Sequence, residues 1–163
     1  MKITTIELEI ALARYLNPRV NLIVPNVSWG FFNHECDIIS VSKAGYATEY
    51  ELKISKADLK ADFRKKHDHS DNKIKALFYV FPEYLRDCIE LIPDKAGILL
   101  ASRHQVQYSD SQKAHDIFFH LFRDAEMTSK PYKLNEADRY QIARLGAMRI
   151  WGLKEKIINK DAV

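Results

Sequence analysis

A chain of 163 residues with 47% apolar side chains is long enough to bury one sizeable core. It holds no apolar run of bilayer-spanning length, and its start, M-K-I-T-T-I-E-L-E, carries acid where a secretory signal is apolar, so a membrane protein is excluded and a cytoplasmic location is expected. A net charge of +3 says little alone, and two cysteines make neither a disulfide framework nor a zinc motif, so Cys36 and Cys88 are expected as buried free thiols.

Residues 4–16 read as a first helix, with Thr4 or Thr5 as the N-cap. Ile6, Glu9, Ile10, Ala13 and Leu16 share one stripe, and Leu8, Leu12 and Tyr15 an adjacent one. Glu9 is thus an acid on a largely apolar face, with Glu7 nearer the edge; either also favours the helix N-terminus through the dipole. Asn17-Pro18 ends the helix. Residues 20–27 form a strand, with Pro25 marking an edge or strand end. The three aromatics of the 28–33 loop are expected to cover the core rather than stack on a base.

Residues 35–66 organise the rest. Cys36 to Val41 is a strand, Ser42-Lys43-Ala44-Gly45 a tight turn with glycine in the left-handed position, and Ala47 to Ile54 a second strand antiparallel to the first. Period two puts Tyr50, Leu52 and Ile54 on one face of it and Glu49, Glu51 and Lys53 on the other. Asp37 lies on the neighbouring strand, with Glu35 on its side. Two carboxylates converging with a lysine suit a hard divalent cation, Mg²⁺ or Mn²⁺, and an attacking water. His34 and Glu35 are candidates for orienting a metal ligand, though His34 is expected rather to be structural or on the surface; Glu49 is a further candidate for supporting the ligands, at the rim of the site, on a second metal or paired with a lysine, and is expected as a surface or paired carboxylate. Ser55 caps a helix over 56–66, on which Lys56 and Lys60 share a face and, with Arg64, can track a phosphate backbone, while Leu59 and Phe63 form the buried side. Between Lys53 and Lys75 eight basic residues stand against four acidic ones, a local excess that suits a polyanion. The stretch His67–Asn72 reads as a polar loop.

Residues 75–81 are nearly continuously apolar, as in an interior strand reached through the helix and parallel to the 47–54 strand. Pro82 opens a short helix with Tyr84, Leu85, Cys88 and Ile89 inward. Residues 97–102 form another strand, with 105–108 paired to it as a hairpin. From Ser111 the pattern is read as helical to Ala125, with Ile117, Phe118, Leu121 and Phe122 apolar. Asn135 caps a last helix whose buried stripe is Ile142, Leu145, Met148 and Trp151, with a frayed tail beyond it. That helix suits the outer layer of the sheet or a partner chain, a homodimer among the options.

The spacing D-x13-E-L-K followed by a basic helix resembles the PD-(D/E)xK nuclease superfamily. E-Y-E-L-K-I-S-K-A-D-L-K-A-D-F-R-K-K, then A-L-F-Y-V-F-P-E and I-P-D-K-A-G-I-L-L-A, resemble the MmcB-like DNA repair family and related phage and bacterial proteins, over roughly residues 5–103. The resemblance implies a restriction-endonuclease-like α/β fold: a mixed sheet flanked by helices, with C-terminal helices appended. It implies a single nuclease-like domain with a core of about 4–108 and a helical extension over about 111–160. It further implies a DNA substrate, a repair or recombination setting, and a metal held by Asp37, Glu51, the backbone carbonyl of Leu52 and a glutamate of the first helix. Helical phase favours Glu9 for that role; register against the family's helix leaves Glu7 open. Lys53 then positions or activates the water.

Two rivals stand beside this reading. One is a non-catalytic DNA-binding module on the same fold. The other is a structural or assembly protein whose Asp37, Glu51 and Lys53 form only an ion-paired strand face.

Overall fold

In the computed structural model, which describes residues 2–27, 30–62, 71–109 and 112–161, helix α1 spans Thr5–Tyr15. Thr4 is its N-cap and Glu7 closes a reciprocal capping box, with Glu7 N donating to Thr4 Oγ1 at 3.3 Å and Thr4 N to Glu7 Oε2 at 2.9 Å. Asn17 stops the helix in the left-handed region at φ 56°. The buried face is Leu8, Ala11 and Leu12. The other apolar stripe turns outward, leaving Ile6 68% exposed. The ion pair of Glu7 Oε1 with Arg103 Nη2, at 2.8 Å, ties the rotational phase of the helix to the sheet, which a helix with two apolar stripes cannot set by itself.

Six strands follow in one mixed sheet whose spatial order equals chain order: β1 (Leu22–Val27), β2 (Cys36–Val41), β3 (Ala47–Leu52), β4 (Ile74–Pro82), β5 (Gly97–Ser109) and β6 (Gln112–Arg123). The β1–β2, β2–β3 and β5–β6 pairs are antiparallel, and β3–β4 and β4–β5 parallel. The β2–β3 turn is tight, with Gly45 N donating to Ser42 O at 2.9 Å and Gly45 at φ 89°. The parallel β3–β4 step requires a crossover, which carries helix α2 (Lys56–Asp62), capped by Ser55 Oγ accepting from Asp58 N at 3.1 Å. A 3-10 helix, Glu83–Leu91, links β4 to β5, with Leu85 and Cys88 buried. Tyr84, expected inward, is half exposed and donates to Ile54 O.

The C-terminal third departs most from expectation. Residues 112–123 are strand β6, not a helix, and β5 runs unbroken through 97–109 instead of folding back at 105. The extension therefore holds one helix, and its first part is an edge of the sheet. The apolar residues Ile117, Phe118, Leu121 and Phe122 fit either period; the long β5 beside them offers a ladder that satisfies every second backbone group, and a helix there would leave one edge of β5, and its stretch beyond Ala101 altogether, without a pairing strand. Helix α3 (Glu136–Asp161) is capped by Asn135 Oδ1, which accepts from Asp138 N at 2.9 Å. It runs to Asp161, into the tail expected to fray. Its buried contact ends early: Ile142 is buried and Leu145 packs beside it, but Met148 and Trp151 are exposed because the helix passes beyond the edge strand β1.

Three apolar clusters follow from this layering. One face of the sheet takes α1 through Leu8, Leu12, Ile38, Tyr50, Leu52 and Val80. The opposite face carries two. At the β1–β2 end Val24, Ile39, Val41 and Ala47 meet Ile142 of α3, together with Phe31 and Phe32, which cover the core as expected. At the β4–β5 end Leu59 of α2 and Leu85 of the 3-10 helix meet Tyr79, Phe81, Ile98 and Leu100. Between these two clusters lies the polar face of β3. Among the described residues no helix is long and apolar enough to cross a membrane.

Candidate functional site

Strand β3 presents Ala47, Glu49, Glu51 and Lys53 to the second face, and only the first is apolar. Glu49 is 0% exposed, Glu51 3% and Lys53 4%. Burying three ionisable side chains in successive positions on one strand costs several kcal/mol unless each finds a partner, so such groups mark sites more often than cores. Lys53 Nζ donates to Glu51 Oε2 at 3.2 Å. Lys53 N donates to Val80 O at 3.0 Å, which carries β3's parallel alignment with β4 into the motif.

Asp37 is brought to the same place by register. The β2–β3 ladder ends at Ile38 opposite Tyr50, and one further step sets Asp37 opposite Glu51. There the main chains stop pairing: Asp37 Oδ2 accepts from Leu52 N at 2.9 Å, taking a backbone hydrogen that continued pairing would give to β2. In extended backbone the N–H and C=O of one residue leave the strand on the same side, so the Leu52 carbonyl lies on the Asp37 side of β3. On the other flank the left-handed Asn26, φ 51°, breaks the alternation of β1 beside this point.

The two glutamates of α1 separate cleanly. Glu7 is committed to Thr4 and Arg103; the Arg103 hydrogen bond, followed by those from Thr4, lowers its carboxyl from 4.5 to about 2. Glu9 is half-buried, and its pKa is raised, first by desolvation and then by the negative charge of Asp37. Of the two, Glu9 is the one whose titration feels the Asp37 carboxylate.

Other expected residues fall at varied distance from this centre. Lys56 and Lys60 are exposed on α2. Arg64 lies outside the described residues, as do Phe63 and the polar loop up to Ser70. Glu35 is exposed and lines a cavity of about 240 Å³ with Asn26, Val27, Cys36, Asp37 and Arg149. Arg149 is one of several basic residues on the last helix; docking of α3 on β1 carries its guanidinium into this cavity, where Nη2 donates to Asn26 O. No local signal separates it from Arg144 or Lys154.

Glu49 is a paired carboxylate, as expected, but its partner is a histidine and it lies in the interior rather than at the rim or on the surface. It is fully buried and both its oxygens lie 2.9 Å from His34 Nε2. His34, expected to be structural or on the surface, is buried in this pair. Cys36 completes the group: the donor atoms of His34, Cys36 and Glu49 lie within 4.8 Å of one another. Burial, then the charges of Glu49, Glu51 and Asp37, push the Cys36 thiol up, so it stays protonated in the ion-free protein. Both cysteines are buried and free, as expected.

No protein-family model matches the chain, and no curated protein matches it. Among solved structures it is similar to the SPO1766 protein of unknown function from Silicibacter pomeroyi, with a TM-score of 0.61 and 18% identity over 100% of this chain and 97% of that one. At that identity the likeness speaks for a shared mixed α/β fold.

Proposed function

We propose that this chain is a metal-dependent nuclease of restriction-endonuclease-like fold, hydrolysing phosphodiester bonds in DNA in a repair or recombination setting. The observation that carries the reading is the placement of Asp37 opposite Glu51, one register step beyond the last paired residues, with Lys53 bonded to Glu51, at the point where β2 and β3 part. The donor set fits a hard divalent ion. Asp37 and Glu51 offer carboxylate oxygens, Leu52 a carbonyl on their side of the strand, and Glu9 a further carboxylate within the field of Asp37. Mg²⁺ or Mn²⁺ held there supplies Lewis-acid polarisation of a phosphate and an acidified water.

The chain's own residues do the rest. Asp37, pinned through Oδ2 to Leu52 N–H, keeps its position as charge accumulates nearby. Lys53, steadied by Glu51, orients the attacking water and offsets charge on the phosphorus-bound oxygens as the P–O ester bond breaks. Lys56, Lys60 and Arg64 hold the phosphate backbone; Arg149 faces the Asp37 cavity and adds a fixed positive charge beside it. Glu35 lies at the rim of the same cavity. The exposed apolar residues of α3, including Met148, Ile150, Trp151 and Leu153, support a homodimer, which light scattering would detect.

The test is cleavage of single-stranded, duplex and branched DNA with Mg²⁺ or Mn²⁺ against EDTA, beside Glu51→Gln and Lys53→Ala, each shown folded by circular dichroism. Metal-dependent nicking lost in both variants is the expected result. DNA binding without cleavage in either metal, unchanged in Glu51→Gln, would replace the nuclease by a binding module. Failure to bind any nucleic acid would favour an assembly protein with an ion-paired strand face.

A further inference from the structure

We propose that His34, Cys36 and Glu49 form a second, chemically distinct metal centre, for a borderline-soft divalent ion such as Zn²⁺. It lies beside the Asp37–Glu51 pair on the same face of β3 and is independent of whether that pair hydrolyses DNA. Three observations carry it. The three donors are imidazole nitrogen, thiol sulfur and carboxylate oxygen, the mixture that selects Zn²⁺, Co²⁺ or Fe²⁺ over Mg²⁺. Their atoms converge within 4.8 Å. A tetrahedral Zn²⁺ with Zn–S near 2.3 Å and Zn–N near 2.0 Å asks for donor separations of about 3.3–3.6 Å, so small side-chain movements close the site. All three residues are buried, at 4%, 2% and 0% exposure, and they come from different elements: His34 from the loop before β2, Cys36 from β2 and Glu49 from β3.

The burial is informative because a surface group of acids gathers by chance and this one does not. A carboxylate in the interior of a sheet, hydrogen-bonded through both oxygens to a single ring nitrogen, already has the arrangement of two ligands waiting on one ion. On binding, the Cys36 thiol gives its proton to solvent and its sulfur lone pair to the metal. The Nε2 hydrogen that now faces Glu49 moves to Nδ1 or leaves to solvent, and the nitrogen lone pair takes its place on the ion. Glu51, the next carboxylate along the same face of β3, is bonded to Lys53, so a water fills the fourth position. The ion would clamp the loop and the start of β2 onto β3, one residue from Asp37.

Cobalt titration of the full chain tests this, because only a thiolate ligand gives an intense sulfur-to-cobalt charge-transfer band in the near ultraviolet. The band should rise to one equivalent of Co²⁺, survive excess Mg²⁺ and be displaced by Zn²⁺. It should vanish in Cys36→Ser, weaken at least tenfold in apparent affinity in Glu49→Gln, and persist in both Cys88→Ser and Asp37→Asn. The last variant removes the hard-ion face and leaves the proposed centre whole, so failure of the nuclease reading and failure of this one are told apart. Absence of the band in the folded parent protein would overturn the proposal without any variant. A band retained in Cys36→Ser, or lost in Cys88→Ser, would place the thiolate elsewhere and overturn it equally.

Discussion

Replacing Lys53 with methionine tests the electrostatics of the β3 face directly. Lys53 Nζ and Glu51 Oε2 are 3.2 Å apart and each side chain is 4% exposed. Removing the ammonium leaves a buried carboxylate without its strand partner, a change that destabilises by about 3–5 kcal/mol in buried pairs. For a domain of this length, about 2–4 °C in Tm accompanies each kcal/mol, so a fall of roughly 6–20 °C is expected. An exposed pair would contribute only about 0.2–1 kcal/mol, a shift of a few degrees at most. Denaturant unfolding in EDTA gives the number, and the double variant Lys53→Met/Glu51→Gln should recover most of it, since the pair then leaves no uncompensated charge. Adding Mg²⁺ or Mn²⁺ should stabilise Lys53→Met more than the parent chain, because the cation meets a carboxylate that has lost its ammonium. A loss below about 1 kcal/mol would refute the picture of a desolvated pair. So would a double variant no more stable than the worse single one.

The capping and salt-bridge role of Glu7 predicts an acid limb in stability. Its folded pKa, about 2, lies below the ordinary 4.5, so its contribution is complete above 4.5 and is lost as pH falls from there toward 2; Glu7→Gln should flatten that limb in acid titrations followed by circular dichroism. Glu9 has the opposite sign. Its pKa is raised, so the fold loses stability as pH rises through the window above the ordinary glutamate value. Glu9→Gln should remove that slope, and Asp37→Asn should lower the Glu9 midpoint seen by NMR without abolishing the shift, since desolvation is the larger cause. Gly97 opens β5 under the ring of Phe78; a Cβ there would lie 2.3 Å from ring carbons and 2.9 Å from Ala125 N, so Gly97→Ala should destabilise by about 1–3 kcal/mol in urea melts, unless Phe78 swings off Tyr50, which near-ultraviolet circular dichroism would reveal.

What the sequence made legible was local. The Thr4 cap needs only Glu7 three residues on, and the β2–β3 turn needs only Gly45 between two alternating runs. Those two strands then fix the Asp37–Glu51 alignment, because a hairpin of known length has one register. The parallel step to β4 followed from the apolar run at 75–81 and the basic helix before it. Illegible features depended on a distant partner. Residues 117–122 carry apolar side chains compatible with both periods, and only the length of β5 decides for a strand. Both apolar stripes of α1 are plausible cores until Arg103 takes Glu7. The inward stripe of α3 stops at Leu145 because β1 is the edge of the sheet, a fact held in the topology rather than in the helix.

Glu49 and Glu51 show why a face assignment alone leaves chemistry open. Period two puts them on the same side of β3, and both are buried there. Their partners differ: Glu51 bonds a lysine two residues along its own strand, whereas Glu49 bonds a histidine fifteen residues earlier. An acid balanced from its own strand keeps its place if the neighbouring loop moves, and so suits a centre that must admit and release a phosphate. An acid balanced from a loop ties that loop to the sheet, and so suits a fixed point. On the nuclease reading proposed above, the difference puts Glu51 on the face that would meet substrate and Glu49 in the group that would hold β2 in place. On that division, Glu49→Gln should loosen His34 and the start of β2, raising amide exchange there and lowering cleavage through Asp37. Glu51→Gln should abolish cleavage while leaving exchange at His34 close to that of the parent chain.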